Sequence, residues 1–109
     1  MSDIKEITEL LIKFRDERDW AKFHTAKDLA VALNIEAAEL LEAFLWKTSE
    51  QANLEQVKEE LADVIAYALL LAEKYDFDVR QMMVEKIERN AHKYPVAKSK
   101  GVAKKYTEL

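Results

Sequence analysis

The sequence predicts an all-α fold. Glycine and proline are absent until Pro95 and Gly101, so the usual punctuation of short strands is missing from most of the chain. The body is rich in Ala, Leu, Glu and Lys, which form helices readily. Apolar residues also recur every three or four positions, as in Ile4, Ile7, Leu10, Leu11 and Phe14.

That stripe predicts a first helix from Asp3 to about Arg18, with Asp3 and Glu6 at capping-box spacing. The segment "DWAKFHT" follows as a loop. Thr25 is the expected N-cap of a second helix, about Ala26 to Lys47. Thr48 and Gln51, again at capping-box spacing, mark a stop and a restart. A third helix then runs to about Tyr75. Asp76 or Asp78 caps a fourth, which ends before Pro95 because proline disfavours the α conformation in the residue preceding it.

Four helices with short connections predict an antiparallel four-helix bundle over 1–95, followed by a basic tail over 96–109. Within the third helix, "VIAYALLLA" is apolar all round, so more than one face needs cover. A bundle of this size has little to cover it with. Burial against a second copy is expected, making the protein a homo-oligomer.

Composition narrows the function. A net charge of −4 argues against a nucleic-acid partner, which needs a basic face. With no cysteine, disulfides, thiolate catalysis and Cys-based zinc sites are excluded. The longest apolar run, Val64 to Ala72, is far short of a membrane span, and the N-terminus lacks the apolar core of a signal peptide. A cytoplasmic location with no membrane partner is the expectation.

The stretch "NIEAAELLEAFLWK" carries the chemistry. On a helix, Glu36 and Glu39 share a face, about 60° apart in azimuth and roughly 4.5 Å apart along the axis. A second acidic pair, Glu60 and Asp63, has the same spacing in "KEELADVIAY", with Glu59 adjacent. If the two helices form a hairpin turning near Thr48 and Ser49, Glu36 and Glu39 lie roughly 19 and 14 Å above the turn. Glu60 and Asp63 lie roughly 17 and 22 Å above it. The four carboxylates therefore converge at one level.

Exposed acidic faces usually carry lysines three or four positions away to offset repulsion. None of these four acids has one; their helical neighbours are apolar, Gln or acidic. A bound cation is the usual remedy, although a solvated acidic face and a protonated, hydrogen-bonded cluster remain alternatives. An all-oxygen set suits Mg²⁺, with Mn²⁺ as a substitute. Di-iron bundles use Glu-x-x-His pairs, whereas His24 and His92 lie outside both acidic pairs. Mg²⁺ shares its shell with water and phosphates, which points to phosphate-ester chemistry.

"E36-A-A-E39", twenty residues, then "E60-L-A-D63" resembles the E-x-x-E…E-x-x-D signature of the all-α MazG-like nucleotide pyrophosphohydrolases. The segments "FRDERDW", "FHT", "LLEAFLWKT", "EELADVIAY", "KYP" and "KKYTEL" are similar, in order and spacing, to the dCTP pyrophosphatase branch of that family. The resemblance covers Phe14 to Leu109. One departure is that the family often has glycines near the first pair, where this chain has Asn34 and Ala38.

The resemblance implies cleavage of a nucleoside triphosphate between the α- and β-phosphorus. The expected substrate is dCTP or a modified deoxynucleotide, in the service of nucleotide-pool cleaning. It implies Mg²⁺ on Glu36, Glu39, Glu60 and Asp63, with one of these or Glu59 accepting a proton. It also favours a tetramer over a dimer. A dUTP-cleaving relative would share the acids and differ in its aromatic pocket. From a different class, a non-catalytic helical interaction module would use the apolar third helix for assembly alone.

Trp20 and His24 in the loop and Trp46 at the end of the second helix become base-pocket candidates by the same resemblance; plugging the bundle's ends is their structural alternative. Tyr67, one turn after Asp63, can line the sugar or serve as a core residue. Asn90 and Lys93, just before "KYP", can approach phosphate or base, or simply solvate a helix end. Lys47 is a further phosphate candidate, and the tail lysines Lys98, Lys100, Lys104 and Lys105 are expected to be solvated.

Overall fold

The computed structural model describes residues 3–109. Among them every regular element is helical, and no strand occurs. In order the helices are α1 (Asp3–Glu17), α2 (Ala26–Glu42), α3 (Leu54–Lys74), α4 (Val79–Lys93) and the short α5 (Val96–Ser99). Single 3₁₀ turns occupy Ala21–Phe23, Ser49–Gln51 and Tyr106–Glu108. The chain divides into two compact units, one ending at Phe77 and one spanning Asp78–Leu109.

In the first unit, α3 is the central element: α2 packs along it extensively and α1 more lightly. Among the described residues the buried side chains are few, namely Leu29 on α2, Leu69, Leu70 and Ala72 on α3, and Ala43 and Ala52 in the connection. Arg15 of α1 reaches Glu73 of α3 at 3.2 Å, tying the two helices near their C-terminal ends.

Helix ends show how local chemistry sets the boundaries. Asp3 is helical, and with Glu6 it places negative charge in the first turn of α1, where it complements the positive end of the helix. At the other end of α1, Asp19 adopts a left-handed conformation with φ of 55°. The Asp19 amide donates to the Asp16 carbonyl and the Trp20 amide to the Arg15 carbonyl, which is a Schellman closure without glycine. The end of α3 repeats it with Asp76 at φ of 54°, Asp76 donating to Glu73 and Phe77 to Ala72. Asp78, not Asp76, is therefore the cap of α4, its Oδ1 accepting from the Gln81 amide.

Two expectations about the α2–α3 connection are corrected. Helix α2 stops at Glu42, five residues before Lys47. Beyond it the amides of Ala43, Phe44, Leu45 and Lys47 reach back only three residues, and Trp46 turns left-handed with φ of 62°. The last turn thus tightens and then reverses direction. The capping box of Thr48 and Gln51 does form, but on a 3₁₀ turn. The cap of α3 is Asn53, whose side-chain oxygen accepts from the Gln56 amide. The tail after Pro95 contains α5 and a final 3₁₀ turn.

In the second unit, Tyr94 and Tyr106 meet edge to face at 6.1 Å, and the Lys93 ammonium lies 4.9 Å from the centre of the Tyr106 ring. These contacts fold the tail back onto the end of α4.

Candidate metal and nucleotide site

The site grows from the packing of α2 on α3. Thr25 and Asn53 cap the two helices, which pack along each other. As a result Glu36, Glu60 and Asp63 each bring one carboxylate oxygen to within 4.8 Å of the other two. Glu36 and Glu60 are half-buried and Asp63 is exposed, so the cluster opens on one side.

Glu39, one turn beyond Glu36, stands close enough to influence both Glu36 and Glu60 through hydrogen bonding and charge. Burial pushes the Glu36 carboxyl up to about 7, reinforced by a hydrogen bond to Glu39 and by the negative charges of Glu39, Asp63 and Glu60. Burial likewise raises Glu60, with Glu39, Asp63 and the adjacent Glu59 adding to the effect. One oxygen of Glu36 and one of Glu60 are buried without any hydrogen-bond partner. Buried acceptors left bare are costly, and a cation could satisfy them. The donor chemistry, carboxylate oxygens only, fits a hard divalent ion.

The aromatic candidates divide into two groups. The 3₁₀ turn Ala21–Phe23 carries Trp20 at its start and His24 at its end. His24 packs edge-on against Tyr67 at 6.5 Å, and Tyr67 lies one turn beyond Asp63 on α3. This contact joins the loop to the helix that holds the acids. Nδ1 of His24 is also buried and unpartnered. Trp46, in contrast, is 95 % exposed and is not gathered with these residues within the chain. Lys47 and Glu59 are exposed as well. Asn90 is half-buried on α4 and Lys93 is engaged with Tyr106, both in the second unit.

Neighbouring residues that sequence patterns did not single out are Arg15 and Glu73, whose ion pair steadies α1 against α3. Their separation in sequence leaves no local signal. The spacing of Arg15, Asp19 and Trp20 does carry one, since it matches a Schellman end, but the left-handed position is filled by aspartate where glycine is usual.

Known proteins with this pattern are found. The MazG-like family model matches residues 31–109. The dCTP pyrophosphatase 1 of Mus musculus is 36% identical over 97% of this chain and 67% of its own length. The human dCTP pyrophosphatase 1 is 33% identical over the same shares. A crystal structure of a pyrophosphatase from Archaeoglobus fulgidus superposes with a TM-score of 0.80 at 39% identity, covering 87% of this chain and 94% of that one. The chain belongs to the MazG-like family.

Proposed function

We propose that the protein is a Mg²⁺-dependent nucleoside triphosphate pyrophosphatase that converts a deoxypyrimidine triphosphate, dCTP or a modified relative, to the monophosphate and pyrophosphate. The observation that carries the reading is the cluster of Glu36, Glu60 and Asp63, with two buried carboxylate oxygens lacking any partner. Family membership and similarity to the dCTP pyrophosphatases support the reaction and the base.

In this reading Glu36, Glu39, Glu60 and Asp63 hold the metal. When bound, the ion offers a Lewis acid to the phosphoryl oxygens and lowers the pKa of water. Water cleaves the anhydride between the α- and β-phosphorus, its oxygen ending on one phosphorus while the bridging oxygen leaves with the other, and a carboxylate of the cluster or Glu59 accepts the released proton. Trp20, His24 and Trp46 receive the base, with the unpartnered His24 Nδ1 available to a polar group of the ligand. Tyr67 lines the sugar beside His24, where its bulk disfavours a 2′-hydroxyl. Lys47, Asn90 and Lys93 serve the phosphates or base edges.

The active form is a homo-oligomer, a tetramer by analogy with the family, in which residues 1–95 make the catalytic four-helix bundle. What supports association is the apolar surface left on the single chain: Ile7 and Leu10 on α1, and Leu61 and Ile65 on α3, are all exposed. As a pool-cleaning enzyme the protein acts in the cytoplasm.

Pyrophosphate release from a panel of deoxy- and ribonucleoside triphosphates, with Mg²⁺ and with chelator, tests the proposal. Chelator-sensitive release concentrated on dCTP or a modified deoxycytidine substrate is expected. Release concentrated on dUTP would reassign the base, and no release from any triphosphate would reject the activity.

A further inference from the structure

Beside the proposed base pocket lies a three-layer arrangement. The Arg18 guanidinium sits 3.7 Å from the centre of the Phe14 ring, and its NH1 donates to the Phe14 carbonyl at 3.0 Å. The Phe14 ring in turn meets Trp20 at 5.8 Å and 76°. The left-handed Asp19 makes this contact possible by turning the chain back, and the Trp20 amide is held by the Arg15 carbonyl. Lys22, 2.9 Å from Asp19, braces the same turn.

We propose that Phe14 and Arg18 are positioning residues for substrate recognition: the guanidinium fixes the Phe14 ring, and that ring fixes the Trp20 indole as a platform for the base. The inference rests on Trp20 being that platform. Three features carry it. The contacts are all exposed, so their burial contributes little to the core and their value lies in orientation. Edge-to-face aromatic and cation–π contacts have preferred geometries, unlike a simple apolar contact. Trp20 and His24 bracket one short 3₁₀ turn, so the indole is held from the α1 side by Phe14 while the turn is held from the α3 side by His24 on Tyr67.

A purely structural role also exists for this contact, since an apolar contact between the residue after a Schellman turn and the preceding helical turn is common. The test separates the two. Steady-state pyrophosphate release is measured for F14L, F14Y, R18Q and W20A, and Trp20 fluorescence anisotropy is followed in a W46F background, which leaves Trp20 as the single indole. For F14L and R18Q, KM is expected to rise roughly three- to tenfold with kcat within about twofold, and Trp20 anisotropy to fall. F14Y, which keeps the ring, is expected to restore both. R18Q changes an exposed side chain and keeps the test open should F14L unfold. A rise in KM for W20A with unchanged KM for F14L or R18Q would overturn the positioning role alone. Unchanged KM in W20A would overturn the platform itself, and the positioning role with it.

Discussion

Glu36 of α2 and Glu60 of α3 bring carboxylate oxygens to within 4.8 Å of each other, and each keeps one buried oxygen without a hydrogen-bond partner. Neither helix supplies a lysine or arginine to the cluster. Both carboxyls hold their protons more tightly than free glutamate, because burial first, and then the neighbouring Glu39 and Asp63, oppose ionisation. Such a pair gains more from a divalent cation than an exposed acidic face would.

Metal binding should therefore appear in the melting curve. Mg²⁺ at about a hundredfold over its Kd contributes about 2.7 kcal/mol to the folded state, or roughly 10 °C in Tm for a chain of this size. Glu60→Gln and Asp63→Asn should lose most of that shift and nearly all turnover, while keeping the helical circular dichroism signal. A Tm indifferent to both Mg²⁺ and chelator would remove the metal site.

The raised carboxyl of Glu36 fixes the sign of a pH effect in the metal-free protein. Its pKa is about 7 when folded against about 4.5 for the free side chain, so between these values the folded state binds more protons than the unfolded chain. Stability then falls as pH rises through this window. Urea unfolding in chelator should show a higher midpoint at pH 5 than at pH 8, and Glu36→Gln should flatten the difference. Glu36→Gln should also be more stable than the wild type at pH 8, while losing metal. A wild-type midpoint that rises across the window would contradict the burial assigned to Glu36.

The meeting of Glu36, Glu60 and Asp63 was legible because the two acidic pairs lie at similar residue counts from the connection between their helices, although that connection, residues 43–53, is longer than the turn the count assumed. The ends of helices were less legible. Nothing in "EAFLWKTSE" announces that α2 stops at Glu42, since the left-handed residue there is Trp46 and no glycine marks it. The plausible box at Thr48 and Gln51 drew attention from Asn53, the residue that caps α3. Asp76 and Asp78 both read as caps, yet one ends α3 and the other starts α4. Which carboxylates are desolvated, and that His24 meets Tyr67, depend on packing between distant segments. No local pattern encodes them.

Helix α1 is secured to α3 by few contacts, so the Arg15–Glu73 pair matters more than a typical surface bridge. The Arg15 side chain is only 14% exposed, and it also bonds Asp16 at 2.9 Å. Arg15→Met keeps much of the stem packing and removes the charged hydrogen bonds. It should cost about 1–2 kcal/mol in urea unfolding, with Glu73→Gln costing less because an amide still accepts. Equal stability of Arg15→Met and wild type would show that α1 is held by packing alone.

The apolar face of α3 makes a prediction about assembly. Leu61 is 45% and Ile65 49% exposed, one turn apart on the helix that carries Glu60 and Asp63. If this face packs on a second copy, Ile65→Glu buries a charge at the contact and should drive sedimentation to the monomer mass. Because the mutated position lies beside the acids without being one of them, metal-induced stabilisation should persist in the monomer even if turnover falls. A variant that sediments as the wild type does would move the contact to another face, with the exposed stripe of Ile7 and Leu10 on α1 as the next to be charged.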